Sequence, residues 1–345
     1  MAHSQSPARS AADGKPQLTP SQRFWREVRG YAEALIIAFL VVTFVFNTVG
    51  VVGSSMRPTL NGGNGQLIPS LFTGDRVFIP KYDTWLRRMG VLPHYRRGEI
   101  VVVREPANAP SAQLRDRRPF FIKRLIAVPG DHVKIVAGQV FVNDYPIDQG
   151  FITDSGEITP EPVDFPVVTQ ENGKLTGFGI GFQPFPAGVL YPILPDHGFP
   201  VEIQPPDARY VQLYYGKIID SLAPIPADAP ENEPFVHSFI VPDGMYFVMG
   251  DNRSRGGSED SRYFGPVPIM SVAGRATAVI WPPRRNGEWN WRHLVPPETF
   301  EDVPEPEAVY GPRQEAAGPS SISGTTSAAA KHLGAGARQA ASPAS

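Results

Sequence analysis

Three short stretches carry residue types that can do chemistry. The first is "SSMRPTL" (54–60), which places two serines at the end of a charge-free apolar run. A serine hydroxyl is a poor nucleophile until a base takes its proton. Histidine is the usual base, but the seven histidines are scattered, no HExxH occurs, and no pattern nominates one. Lysine can serve if its pKa falls from about 10.4 toward about 7–8, and desolvation lowers it because burial disfavours the ammonium. The second stretch, "FFIKRLIAVPGD" (120–131), sets Lys123 inside an apolar strand pattern. In extended chain residues 121, 123 and 125 share a face, so Lys123 lies between Phe121 and Leu125 while Arg124 points the other way, toward a carboxylate. The plain alternative is a strand lysine that snorkels to water. The third stretch, "MGDNRSRGGSEDSRYFGPVP" (249–268), is either a solvated turn with local hydrogen bonds or a support in which Ser258 bonds the lysine amine and Asp260 pairs with Arg262.

The elements that must position these groups begin with the apolar run. No charged residue occurs from Ala34 to Met56, 23 residues, against the roughly 20 that a helix needs to cross the hydrocarbon. A cleaved signal peptide is the competing reading, but the preceding region is long and no A-x-A site follows. The reading is an uncleaved transmembrane anchor over 31–52, with Trp25 and Tyr31 at the near interface. Arg23, Arg26 and Arg29 precede the span and only Arg57 follows closely, which puts residues 1–30, a disordered N-terminus, in the cytoplasm. Beyond the anchor, "DRVFIPK" (75–81), "GEIVVVRE" (98–105), "FFIKRLIAV" (120–128), "DHVKIVAGQVFVND" (131–144), "GMYFVMGD" (244–251) and "GRATAVIW" (274–281) read as strands bounded by turn residues. The expected fold is mainly β: an antiparallel sheet core over 53–145 and 241–300 and an inserted β-rich subdomain over 146–240. A polar connection is expected at 107–119, a weaker strand signal at "ARYVQLYYGKIID" (208–220), and a disordered tail at 301–345.

Composition narrows the functional classes. The 32 basic and 34 acidic residues leave a formal charge of −2, so no basic excess points to nucleic acid. Cysteine is absent, which excludes disulfides, thiolate catalysis and Cys-type zinc sites. No metal and no cofactor is expected. The 38 prolines and 33 glycines favour turns and β-structure over long helices. No internal repeat is visible.

In this order and behind an anchor, the stretches resemble the bacterial type I signal peptidases. "SSMRPTL" is similar to their serine box, "GDRVFIPK" and "RGEIVVV" to the next two, "FIKRLIAVPGD" to the lysine box and "GDNRSRGGSEDSRYFGPVP" to the last. The resemblance implies a Ser/Lys dyad with Ser55 as nucleophile and Lys123 as general base. It implies Ser258 as the serine that orients the lysine, Asp260 and Arg262 as the supporting pair, and the Ser55 N–H as an oxyanion donor. It also implies a single-pass enzyme of the bacterial inner membrane, its catalytic domain outside the cytoplasm, that cuts exported preproteins after small residues at −1 and −3. The sequence departs from the pattern twice. Gly53 stands where many members have an oxyanion serine, and "SRGG" makes the last box two residues longer than GDNR-x-x-S-x-D-S-R, so Ser258 fits only if the extra residues bulge outward.

An extended substrate beside an enzyme strand sends alternate side chains into pockets on one face. Val51, Val52, Met56, Phe121 and Ile122 are the positions expected to line those pockets, with plain core packing as their alternative. Trp85 and Leu86 are further positions for lipid contact. Two other functional readings stand beside the first: a related processing peptidase with a narrow substrate, and a non-catalytic envelope-protein binding module in which Ser55 is structural.

Overall fold

The computed structural model of the chain describes residues 19–63, 73–107, 109, 119–184, 190–193 and 202–306. Of the disordered segments expected at 1–30 and 301–345, residues 1–18 and those from 307 lie outside the described residues, as does most of the connection at 107–119, whereas residues 20–30 are helical and Val303 is buried in the core, its apolar side chain packed away from water.

The first helix runs Pro20–Leu40 and continues through a π-helical turn, Val41–Val45. Its start is set by a capping box. The Thr19 hydroxyl accepts from the Gln22 N–H, the Gln22 side chain accepts from the Thr19 N–H, and Pro20 takes a first-turn position where its missing N–H costs nothing. The helix therefore begins earlier than the anchor expected at 31–52, and it also ends earlier. From Phe46 the chain is strand β1 (Phe46–Gly50), paired antiparallel with β2 (Arg76–Pro80). Pairing captures the β-branched and aromatic residues that the apolar run alone left helical. Over Pro20–Val45 the helix is long and apolar enough to cross a membrane, by length and composition.

Every described strand pair is antiparallel, which is the mainly β architecture expected. One four-stranded sheet has the order β1, β2, Ala278–Trp281, Arg292–His293. A five-stranded sheet has the order Val267–Pro268, Met245–Met249, β4 (Phe120–Ala127), β3 (Ile100–Arg104), Val272–Arg275. The run 274–281, read as one strand, is divided between these two sheets, with Ala276 and Thr277 making the crossing. Alternation along β3 gives the five-stranded sheet two apolar faces. Ile100 and Val102 pack with Val51, Met56, Leu60, Val77 and Ile122, while Val101 and Val103 pack with Leu125, Tyr246, Val248 and Phe264.

The segment 146–240 contributes a four-stranded sheet ordered Ile203–Gln204, Lys174–Gly179, Val167–Glu171, Phe235–Val236. Its Val163, Phe165, Phe178 and Tyr215 join Ile126, Val133, Val142 and Phe247 in one continuous apolar cluster. The strand expected at 208–220 is instead a helix, Arg209–Ile219. Its aromatic and β-branched content suggested β, but the buried residues Val211, Tyr214, Tyr215 and Ile218 fall at i, i+3, i+4 and i+7, the stripe of a helix packed on one side.

Candidate active site

Beyond β1 the chain is fixed to β2's leading end, Val51 N–H donating to Asp75 O at 2.8 Å, and then bridges Gly53 to Gly62. Gly53 has φ +91°, a conformation costly for other residues. A turn follows in which Arg57 N–H donates to Ser54 O, with Met56 and Leu60 buried beneath it. Asn252 grips this turn from the opposite strand end: its N–H donates to Ser55 O at 3.1 Å and its Nδ2 to Ser54 O at 3.1 Å. The result is a half-buried Ser55 at the rim of a cavity of about 500 Å³.

Lys123 reaches the same cavity from β4, opposite Val101 of β3. Only 3% of it is exposed, and Nζ lies 5.3 Å from the Phe121 ring centroid, the residue two positions earlier on the same face. Burial pulls its pKa down from 10.5 to about 8, against the opposing fields of Asp260 and then Glu259. Nζ donates to Ser258 Oγ at 2.9 Å. The hydrogen bond of the amine thus goes to Ser258 rather than to Ser55, though all three residues line one cavity. An amine that gives an N–H to Ser258 keeps its lone pair for another direction, the arrangement a neutral lysine base needs.

Arg124, next along β4, turns to the other side. It is 2% exposed and forks onto Asp251, with Nε to Oδ1 at 2.8 Å and Nη2 to Oδ2 at 2.6 Å, while Nη1 donates to Gly98 O. Asp260 and Arg262 form a second buried fork, at 2.8 and 3.0 Å, and Asp260 also accepts from the Gly250 N–H. Burial pushes the Asp260 carboxyl up, but Arg262 outweighs it and holds it below the usual range. Gly250 sits where a β-carbon would strike both Ser258 Oγ and Ser55 O. The longer last box folds as a turn in which Gly257 N–H donates to Ser254 O, leaving Arg255 and Gly256 exposed and Ser258 buried.

Val51, Val52, Met56, Phe121 and Ile122 all line the cavity. Val51, Met56 and Ile122 are at the same time buried in the apolar cluster, so packing and lining are one surface there, whereas Val52 is 44% exposed. Sequence reasoning did not pick out Asn252, Gly250, Glu259 or the Arg124–Asp251 pairing. The Gly-Asp-Asn run after a strand was a signal for the first two; nothing in one dimension tied Glu259 to the cavity. A larger cavity of about 850 Å³ lies elsewhere, but three of its four arginines already face acids, Arg87 on Asp83, Arg97 on Asp131 and Arg275 on Glu99, and its lining has no serine, lysine or histidine.

Residues 25–281 match the family model described as signal peptidase, peptidase S26. The chain belongs to the signal peptidase family. Among relatives, it is 27% identical to a probable signal peptidase I-2 of Synechocystis sp. over 79% of this chain and 81% of that one. It is 32% identical to a probable thylakoidal processing peptidase 2 of Arabidopsis thaliana over 64% of this chain and 37% of that one. A solved signal peptidase I from Enterococcus faecalis superposes over 54% of this chain and 99% of its own, with 20% identity and a TM-score of 0.26. Signal peptidase family membership makes the chain a protease-type hydrolase and supports cleavage of signal peptides from exported preproteins.

Proposed function

We propose that this signal peptidase cleaves by a Ser/Lys dyad: Ser55 attacks the scissile carbonyl, and Lys123, uncharged when it acts, takes the hydroxyl proton. The observation carrying this is a lysine 3% exposed, hydrogen-bonded to Ser258, on the same cavity as a serine whose backbone is clamped by Asn252. Ser258 holds the amine in one rotamer, and the Asp260–Arg262 fork holds the loop that carries Ser258. As the carbonyl becomes tetrahedral its oxygen gains charge, and the Ser55 N–H is the donor assigned to it. Lys123 then returns the proton to the leaving amine, and a water, deprotonated by the same lysine, hydrolyses the acyl-enzyme.

The substrate strand lies along Val51–Gly53 and Phe121–Ile122, where a short, partly filled cavity accepts alanine-sized residues at −1 and −3 and rejects larger ones. The helix Pro20–Val45 crosses the inner-membrane bilayer with its arginine-flanked end in the cytoplasm. The stretches 53–145 and 241–300 form the catalytic core on the far side, with 146–240 inserted. Cleavage of a preprotein by the detergent-solubilised protein tests the dyad. Ser55→Ala and Lys123→Ala are each expected to lose activity, and full activity in either removes that residue from the mechanism.

A further inference from the structure

The cavity holding Ser55 and Lys123 has two unlike banks. One, Val51–Gly53 with Phe121–Ile122, is apolar or side-chain-free. The other is Gly257–Ser258–Glu259. Among the lining residues Glu259 is the one carboxylate and Lys123 the one cation. The chain is pinned on both sides of Glu259: Ser258 takes the Lys123 hydrogen bond, and Asp260 turns inward onto Arg262. Gly257 is pressed against Asn252 so closely that a β-carbon has no room, and Asn252 also holds the Ser54 and Ser55 carbonyls. The place of Glu259 is thereby tied to the backbone of the serine itself. Its field reaches the Lys123 amine and the Tyr263 hydroxyl.

Direction follows from the chemistry of the site, and this step rests on the dyad reading above. The peptide segment before the scissile bond occupies the apolar bank. The group that leaves must receive its proton from Lys123, so the residues after the bond depart over the bank that carries Lys123's own partner, Ser258, and its neighbour Glu259. We propose that Glu259 reads charge on the leaving side of the substrate, favouring preproteins with Lys or Arg in the first two residues after the cleavage point over those with Asp or Glu. The substrate class is thus an exported chain whose mature end begins basic. A carboxylate in a half-exposed cleft, a few ångströms from a unit charge, supports a discrimination of about tenfold.

The test uses the full chain in detergent and two preproteins identical except for Lys or Glu at the second residue after the bond. The expected Lys-to-Glu ratio of kcat/KM is about ten in the wild type, near one in Glu259→Gln, and inverted in Glu259→Lys. High salt is expected to shrink the wild-type ratio. A ratio unchanged by both substitutions, with Ser55→Ala inactive, overturns the assignment of Glu259 alone. Activity surviving in Ser55→Ala overturns instead the dyad on which the assignment of direction rests.

Discussion

The pH dependence of cleavage tests the dyad most sharply. Placing Lys123 at about 8 instead of 10.5 changes its neutral share at pH 7 from about three in ten thousand to about one in ten. Burial is the first cause, and the groups that face the amine are Asp260, Glu259 and Asp251, which favour the ammonium, and Arg262, which opposes it. With neutral lysine as the active form, kcat/KM rises about fivefold from pH 7 to 8 and about tenfold from pH 7 to its plateau near pH 9–10. The assay is initial-rate cleavage of one preprotein from pH 6 to 10 at constant ionic strength, with refolding checked by circular dichroism at each end. Lys123→Arg keeps a charge at every pH in that range and is expected to be inactive throughout. A rate that is flat between pH 7 and 9, or an unchanged profile in Lys123→Arg, refutes a lysine base.

Four other outcomes are expected. Below pH 8 the ammonium of Lys123 is buried at a cost that an unfolded chain avoids, so Lys123→Met gains stability there. The gain of about 3 kcal/mol at pH 7 shrinks as pH rises from 8 to 10.5, where the unfolded state loses its extra proton, and urea unfolding at several pH values checks it. Asp251→Ala strands the buried Arg124 guanidinium and is expected to cost about 3–5 kcal/mol, read in the same assay. Ser258→Ala leaves the amine without its hydrogen-bond partner and is expected to lower kcat by about tenfold or more with KM little changed, while Gly250→Ala, which drives a methyl into Ser258 and Ser55, abolishes cleavage.

Most of the sheet core was legible because the short apolar runs in "GEIVVVRE" and "FFIKRLIAV" fit strands whose successive residues alternate between two buried faces. The opposite facing of Lys123 and Arg124 follows from that same period of two. What stayed hidden depended on partners far along the chain. Phe46–Gly50 is apolar enough to extend a helix and becomes strand only because β2 lies beside it. Asp251 was visible as an acid, but its pairing with Arg124 spans 127 positions. The helix at 209–219 sets β-type composition on helical spacing, and the spacing prevails, while the capping box at Thr19 is a local signal that stands in the letters themselves.

The passage from helix to sheet contains no slack. Lys81 Nζ holds Thr43 O at 2.9 Å, Phe44 stacks edge-on with Trp85 at 5.6 Å, and β1 begins at the next residue but one. Lengthening such a junction by a single residue shifts β1 against β2 and turns Phe46, Thr48 and Gly50 to the wrong side of the sheet. The stand-off between the apolar helix and Ser55 is therefore a fixed ruler rather than a leash, and a chain that needed another spacing would have to rebuild the joint rather than stretch it.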